Sequence, residues 1–234
     1  MNRYSQNILV VDDEEEITDL LEVYLTNEGY QVHKFYSGAG VMECIRDSQI
    51  DLALLDVMLP DIDGFTLCRN IREEWYFPII MLTAKVEDSD KIAGMTMGAD
   101  DYITKPFNPL EVVARVKAQL RRAQNYNISM GKQEEEYYNI RGMEINVADH
   151  TCTLFGEEIP ITPLEFSILL YLCQHMGQVV SSEELFEKVW GEKYLDNNNT
   201  VMAHIARIRE KLHENARKPK FIKTVWGVGY KIER

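Results

Sequence analysis

Asp12 and Asp13 stand directly behind the apolar run Ile8–Val11, Asp56 behind Leu52–Leu55, Thr83 behind Ile79–Leu82, and Lys105 behind Tyr102–Thr104. Three carboxylates drawn into one pocket repel one another, so the pocket favours a hard divalent cation; a site with few carboxylates and retained waters suits Mg2+. A carboxylate beside such an ion can act as nucleophile toward a phosphoryl group and form an aspartyl phosphate. Lys105 would neutralise phosphoryl charge, and Thr83 would donate a hydrogen bond to it. Each residue also has a plainer reading. Asp12 and Asp13, with Glu14–Glu16, could be a solvated acidic run that opens a helix. Asp56 could cap a strand end, and Thr83 or Lys105 alone says nothing. The chemical reading rests on five suitable residue types behind four runs of one repeating pattern.

That pattern alternates. The apolar runs are short and continuous, as in parallel strands buried on both faces, with weaker strands over Val32–Phe35 and Tyr102–Thr104. Between them lie helical periodicities. Ile17, Leu20, Leu21, Tyr24 and Leu25 share one helix face, and Gly29 follows as a stop signal. Further helices are predicted over Ala39–Arg46, Phe65–Trp75, Asp88–Met97 and Leu110–Arg122, with Gly64 permitting the turn into the second of these. Five strand–helix units predict a doubly wound, five-stranded parallel α/β sheet. Ligands of such sheets bind beyond the carboxyl ends of the strands, at the switch point of the strand order, where the five chemical residues lie.

The rest of the chain has a different character. Of 234 residues, 45% are hydrophobic, 27% charged and 10% aromatic, which excludes a disordered or fibrous protein. No apolar run approaches the ~20 residues of a membrane span, and MNRYSQN lacks a signal-peptide core, so a cytoplasmic protein without membrane association is expected. Cys44, Cys68, Cys152 and Cys173 form no metal-ligand spacing and fit reduced thiols. The net charge of −13 conceals an asymmetry: residues 1–124 balance at −10, residues 125–234 at −3, and residues 200–234 at +6. A basic end on an acidic chain suggests two units with different partners, the second of them nucleic acid.

The predicted division is a first domain over 1–123, a flexible linker over 124–136 and a second domain over 137–234. The stretch Gln124–Asn139 loses helical periodicity and reads as a tether. Short strands are predicted over Met143–Asn146 and Cys152–Phe155. Thr162-Pro163-Leu164-Glu165 combines a capping box with proline at the first helical position, and Ser181/Ser182 with Glu183/Glu184 open a second helix. A third helix runs from about Asn199 to Glu214. On it Val201, Ile205, Ile208 and Leu212 form an apolar face, while Thr200, His204, Arg207 and Lys211 form a separate stripe about 60° wide. Such a stripe suits a helix in the DNA major groove, although a merely solvated face has the same composition. Lys218, Lys220 and Lys223 precede a hairpin with a glycine turn at Val225-Trp226-Gly227-Val228-Gly229. Three helices and a hairpin make an α+β winged helix.

The segments ILVVDD, LLDVMLPDIDG, PIIMLTA and ADDYITKPF resemble the receiver domain of two-component response regulators, with its flavodoxin-like sheet, over residues 7–123. The resemblance implies that Asp56 is the phospho-acceptor, that Asp13, Asp56 and the Met58 backbone carbonyl ligate Mg2+, and that Asp12 acts through water. It implies a switch pair in Thr83 and Tyr102, room for the phosphodonor at Ala84, and a cis Lys105–Pro106 bond, a geometry proline makes accessible. Residues 137–233, with ITPLEF and TVWGVGY, resemble the DNA-binding domain of the OmpR/PhoB branch. That implies a receiver–receiver interface through Lys91, Asp100, Asp101, Glu111, Arg115 and Arg122, and DNA contacts from Thr200, His204, Arg207, Arg209, Lys211, Thr224, Trp226 and Tyr230. Trp226 stands where many relatives carry Arg, so no cation is expected to read the minor groove there, and Trp226 would pack on a sugar or hold the wing. Ala206 stands where many carry a basic residue, which lowers the expected number of phosphate contacts. ADDYITKPF, PLEVVARVKAQLRR, EFSILLYLC and IKTVWGVGYKIE further resemble the vancomycin-resistance regulators (VanR-type).

The expected function is thus a phosphorylation-dependent transcription regulator, an activator. It takes phosphoryl from a sensor histidine kinase, dimerises, and binds tandem half-sites in double-stranded promoter DNA of glycopeptide-resistance genes. RNA polymerase is the implied further partner, met through the loop between Trp190 and Asn198. An enzyme is the rival: a phosphatase with an aspartate nucleophile would want a carboxylate two residues on, and position 58 is Met. The receiver is expected to promote only its own phosphorylation and dephosphorylation. A second rival, DNA binding independent of phosphorylation, is disfavoured by the complete acidic set.

Overall fold

The computed structural model describes residues 5–84, 98–128, 137–191, 194, 200–215 and 217–233. It divides into two compact units between Arg121 and Arg122. The predicted helix Asp88–Met97 lies outside the described residues, as does most of the loop after Trp190.

In the first unit five parallel strands, β1 (Asn7–Val11), β2 (Gln31–Phe35), β3 (Leu52–Asp56), β4 (Ile79–Ala84) and β5 (Asp101–Lys105), form a sheet in the order β2-β1-β3-β4-β5. The alternation of side chains along each strand divides its apolar residues between two layers. Ile8, Val10, Leu52, Leu54, Ile80 and Leu82 face α1 (Glu15–Asn27) and α4 (Pro109–Ile128), which contribute Leu21, Leu25, Val112, Val116 and Leu120. Leu9, Val11, Ala53, Leu55, Ile79 and Met81 face α2 (Val41–Asp47) and α3 (Gly64–Arg72), with Val41, Ile45, Leu67, Cys68 and Ile71. Each such fully buried Leu, Ile, Val or Met side chain contributes about 1.5–3 kcal/mol. Two-sided burial is why these strands read as continuous apolar runs rather than alternating ones. The order reverses between β1 and β3, so the crevice lies above Asp12 and Asp56.

Helix α4 continues to Ile128 rather than ending at Arg122. Residues 123–128 contain no glycine or proline, and each added residue gains one backbone hydrogen bond without a new nucleation cost. The start of the expected tether is therefore helical, and its last residues, Tyr137–Asn139, belong to a strand.

In the second unit β6 (Tyr137–Ile140), β7 (Met143–Asn146), β8 (Thr151–Leu154) and β9 (Glu157–Glu158) form an antiparallel sheet in sequence order. Helices α5 (Pro163–Gln174), α6 (Ser182–Trp190) and α7 (Thr200–Lys211) follow, and a second sheet has the order β10 (Val180–Ser181), β12 (Gly229–Ile232), β11 (Ile222–Val225). The capping box at Thr162/Glu165 is present, and Ser181 caps α6 by accepting from the Glu184 N–H. The core joins Phe166, Leu169, Leu172, Leu185, Trp190, Ile205, Ile208, Phe221 and Ile232. Gly229 admits no side chain, because a Cβ there would lie 2.0 Å from the Val180 carbonyl oxygen. This is a winged helix with its β11–β12 hairpin as wing. Among the described residues no helix is long and apolar enough to cross a membrane.

Candidate functional site

The five chemical residues of the first unit meet at the carboxyl ends of their strands. Ligand oxygens of Asp12, Asp13 and Asp56 all lie within 4.8 Å of one another. Asp12 and Asp56 are buried, and Asp13 is exposed. Lys105 Nζ is 2.7 Å from Asp12 Oδ2, 2.9 Å from Glu14 Oε1 and 3.3 Å from Asp56 Oδ1. Burial and the neighbouring Asp12 charge raise the Asp56 carboxyl to about 6, against the pull of Lys105. Asp12 is raised too, chiefly by burial. Burial works against the Lys105 charge, but its bonds to Asp12 and Glu14 outweigh this and hold its pKa above the ordinary lysine value. Two buried carboxyls raised by burial, with Asp13 beside them, form a donor set that a hard dication completes, so the residues fit Mg2+.

Asp56 closes β3, and the Met58 N–H donates to its Oδ2 at 3.2 Å. The Met58 side chain is 72% exposed and takes no part in this packing. Thr83 is buried at the end of β4, its hydroxyl donating to the Ala84 carbonyl at 2.8 Å, and Ala84 is exposed. Tyr102 lies half-buried on β5, two register positions from Thr83. The Lys105–Pro106 bond is cis.

In the sequence Gly64 is legible only as a turn residue, yet its role is steric. A Cβ there would lie 1.9 Å from the Asp56 carbonyl oxygen, because α3 starts against the backbone of the β3 end. Gly64→Ala is expected to lower receiver stability by about 1–3 kcal/mol through forced displacement of that strand end. Thermal unfolding of the variant measures it.

Of the expected receiver interface, Asp101 accepts from Arg115 Nη1 at 3.0 Å, and Arg115 Nε reaches Glu111 at 3.1 Å, so these three form one half-exposed cluster. Lys91 lies outside the described residues, and Arg122 stands at the boundary of the two units. Asp100 is a correction: it is only 1% exposed and accepts from Arg72 Nη2 at 2.7 Å and from the Ile79 N–H at 2.9 Å. It ties the end of α3 to the start of β4 and presents no charge outward. Arg72, which also donates to the Gly98 and Phe77 carbonyls, gives no such signal in the sequence.

The second correction concerns α7. The stripe Thr200, His204, Arg207, Lys211 does not form an outward face: His204 is 0% and Arg207 5% exposed. The cause is Glu165, the capping-box residue of α5, whose buried carboxylate lies 3.2 Å from Arg207 Nε and 2.7 Å from Lys211 Nζ. Arg207 Nη2 in turn donates to His204 Nδ1 at 2.6 Å, and the imidazole packs on Trp190. Burial alone would raise the Glu165 pKa, but the two cations override it and hold it below the ordinary carboxylate range. Arg209 is also internal, donating to the Ile222 carbonyl and the Thr224 hydroxyl, and Tyr230 is buried. The positions of α7 that face outward are Met202, Ala206 and Glu210, while Trp226 at the wing turn is 89% exposed.

A parallel α/β unit with an acidic crevice at its switch point, followed by a winged helix, is the architecture of a phospho-receiver that controls a DNA-binding domain. Comparison with known proteins agrees. Residues 8–117 match the family model described as response regulator receiver domain, and residues 156–232 that of transcriptional regulatory protein, C terminal. The chain is 63% identical to regulatory protein VanRc of Enterococcus gallinarum over 230 residues, covering 98% of this chain and all of the relative. It is 53% identical to regulatory protein VanR of Enterococcus faecium over 231 residues, again 98% of this chain and all of the relative. The solved structure of a RitR mutant matches with a TM-score of 0.76 at 26% identity, covering 97% of this chain and 99% of that one. The chain belongs to the two-component response regulators with an OmpR/PhoB-type DNA-binding domain.

Proposed function

We propose that Asp56 receives the phosphoryl group from a phosphohistidine of a sensor histidine kinase. The observation that carries this reading is the convergence of Asp12, Asp13, Asp56, Thr83 and Lys105 on one crevice. A carboxylate oxygen of Asp56 bonds to phosphorus as the phosphorus–nitrogen bond breaks, and the imidazole leaves with that electron pair. Mg2+, held by Asp13, Asp56 and the Met58 carbonyl with Asp12 behind, supplies charge neutralisation when bound. Lys105 pairs with the new phosphoryl oxygens, Thr83 turns its hydroxyl from Ala84 to them, and Tyr102 follows inward. The chain acts on no other small substrate; it promotes its own phosphorylation and dephosphorylation only.

Phosphorylation then favours a dimer in which Asp101, Glu111 and Arg115, with Lys91, exchange partners across two receivers. Individually such pairs contribute little, so they set specificity. Dimerisation raises the effective concentration of two winged helices on tandem half-sites of promoter DNA. Met202 and Ala206 of α7 and Trp226 of the wing meet the DNA, with Lys218 and Lys220 near phosphates. The identity to the regulatory proteins VanRc and VanR supports control of glycopeptide-resistance genes; the same reading makes the chain a cytoplasmic activator that engages RNA polymerase.

Light scattering with Mg2+, with and without beryllium fluoride, tests the link. Wild type is expected to shift from monomer to dimer with the fluoride, and Asp56→Asn to stay unchanged. A shift in both proteins would sink the Asp56 assignment. A shift in neither would sink the coupling to assembly.

A further inference from the structure

Glu14 occupies the N-cap of α1, with φ −82° and ψ 100°, and its side chain makes no capping hydrogen bond. Serine, threonine, aspartate and asparagine are the residues that serve this position well, because their short side chains reach back to the helix N–H groups. Glutamate breaks that rule here. Its carboxylate turns the other way, across 91 residues of sequence, to Lys105 Nζ at 2.9 Å. The ammonium thereby sits closer to Glu14 than to Asp56, which is 3.3 Å away. The Glu14 backbone N–H is meanwhile bonded to Asp12 Oδ1 at 3.1 Å, so the residue touches the crevice twice.

We propose that Glu14 is a positioning residue for phosphoryl transfer: it latches Lys105 on the Asp12 side of the crevice, and phosphorylation of Asp56 proceeds with release of that latch. The inference rests on the reading of Asp56 as acceptor. An ammonium has three donors, and in this structure they are directed at Asp12, Glu14 and Asp56. The phosphoryl group adds up to about two negative charges beside Asp56, and Lys105 can pair with it fully only by giving up Glu14. The Glu14–Lys105 pair therefore exists in the unphosphorylated protein and opposes the phosphorylated one. Because the Glu14 side chain is largely exposed, the opposition is modest, about two- to fivefold in the equilibrium.

The test is a beryllium fluoride titration of the full-length protein in Mg2+, followed by intrinsic fluorescence, on wild type, Glu14→Gln, Glu14→Ser and the control Glu15→Gln. Glu15 is also an exposed carboxylate, one residue further on. Both Glu14 variants are expected to lower the half-saturating fluoride concentration about two- to fivefold. They should lengthen the lifetime of the aspartyl phosphate formed from acetyl phosphate by a similar factor. Glu14→Ser should also raise the melting temperature, since serine supplies the missing cap. A gain in binding with a gain in stability separates a latch from a structural role. An equal effect of Glu15→Gln would mean that any negative charge near the crevice suffices and would overturn the latch. So would wild-type behaviour of both Glu14 variants. Failure of wild type itself to bind beryllofluoride would overturn the acceptor assignment and the latch together.

Discussion

Asp56→Asn is expected to incorporate no phosphoryl group from acetyl phosphate and yet to melt at a higher temperature than wild type in metal-free buffer. The loss of labelling follows from removal of the nucleophilic oxygen. The gain in stability follows from the electrostatics of the crevice, where burial and the Asp12 charge hold the Asp56 carboxyl up at about 6. A carboxyl raised in the folded state binds its proton more tightly there than in the unfolded chain. Stability therefore falls as pH rises from about 4 to about 6 and levels off above it. At neutral pH the whole penalty is present, about 2–3 kcal/mol, and asparagine removes it while keeping the shape. Melting curves between pH 4 and 8 should show a steeper descending segment in wild type than in the variant, where the raised Asp12 carboxyl alone contributes. Added Mg2+ should raise the wild-type midpoint far more, if Asp56 is one of its ligands as proposed. Equal Mg2+ stabilisation of both proteins would place the ion elsewhere.

The second large effect is expected at Glu165, in the other unit of the chain and 109 positions beyond the acceptor. Its carboxylate completes the α5 capping box through the Thr162 N–H at 2.9 Å and balances Arg207 and Lys211 of α7. Glu165→Ala removes the cap and takes the carboxylate counter-charge from the buried Arg207 guanidinium, a loss of about 3–5 kcal/mol. The unfolding transition of the winged helix should fall accordingly and DNA binding should weaken with it, while beryllofluoride binding by the receiver is kept. Glu165 has a lowered pKa, so its stabilisation is complete above the unfolded carboxylate pKa and disappears as pH falls through the lower folded value. Wild type should thus lose winged-helix stability on acidification below about pH 4 in a way that the variant does not.

The receiver is more legible in the sequence than the winged helix, and the reason is physical. Parallel strands buried on both faces are continuous apolar runs, so Ile8–Val11, Leu52–Leu55 and Ile79–Leu82 mark both the sheet and, at their ends, the residues of the crevice. Glu14 reads only as part of an acidic run, because its partner Lys105 is 91 residues away. The α7 stripe misleads for a related reason. Periodicity counts residue types around a helix, and a cation facing a buried carboxylate has the same letter as one facing water. Only the capping box carries a hint, since a glutamate held at the start of α5 has a second oxygen to offer. Asp100 misleads in the same way, its partner Arg72 lying at the far end of α3. Gly64 needs coordinates outright, because no sequence pattern reports the distance from one backbone segment to another.

The inward anchoring of α7 has a consequence for how this protein could change its targets. The residues that fix the helix in its domain, Arg207, Lys211, His204 and Arg209, are engaged with Glu165, Trp190, Ile222 and Thr224. Met202, Ala206 and Glu210 remain on the outside and carry none of that load. Attachment and presentation are thus separate sets of letters on one helix. If the outer set meets the DNA as proposed, it is interchangeable like a key blade in an unchanged bow: promoter preference could change at exposed positions without refolding the domain. On that reading, operator choice could shift through those positions while the contacts of Arg207, Lys211, His204 and Arg209 that hold the helix stay the same.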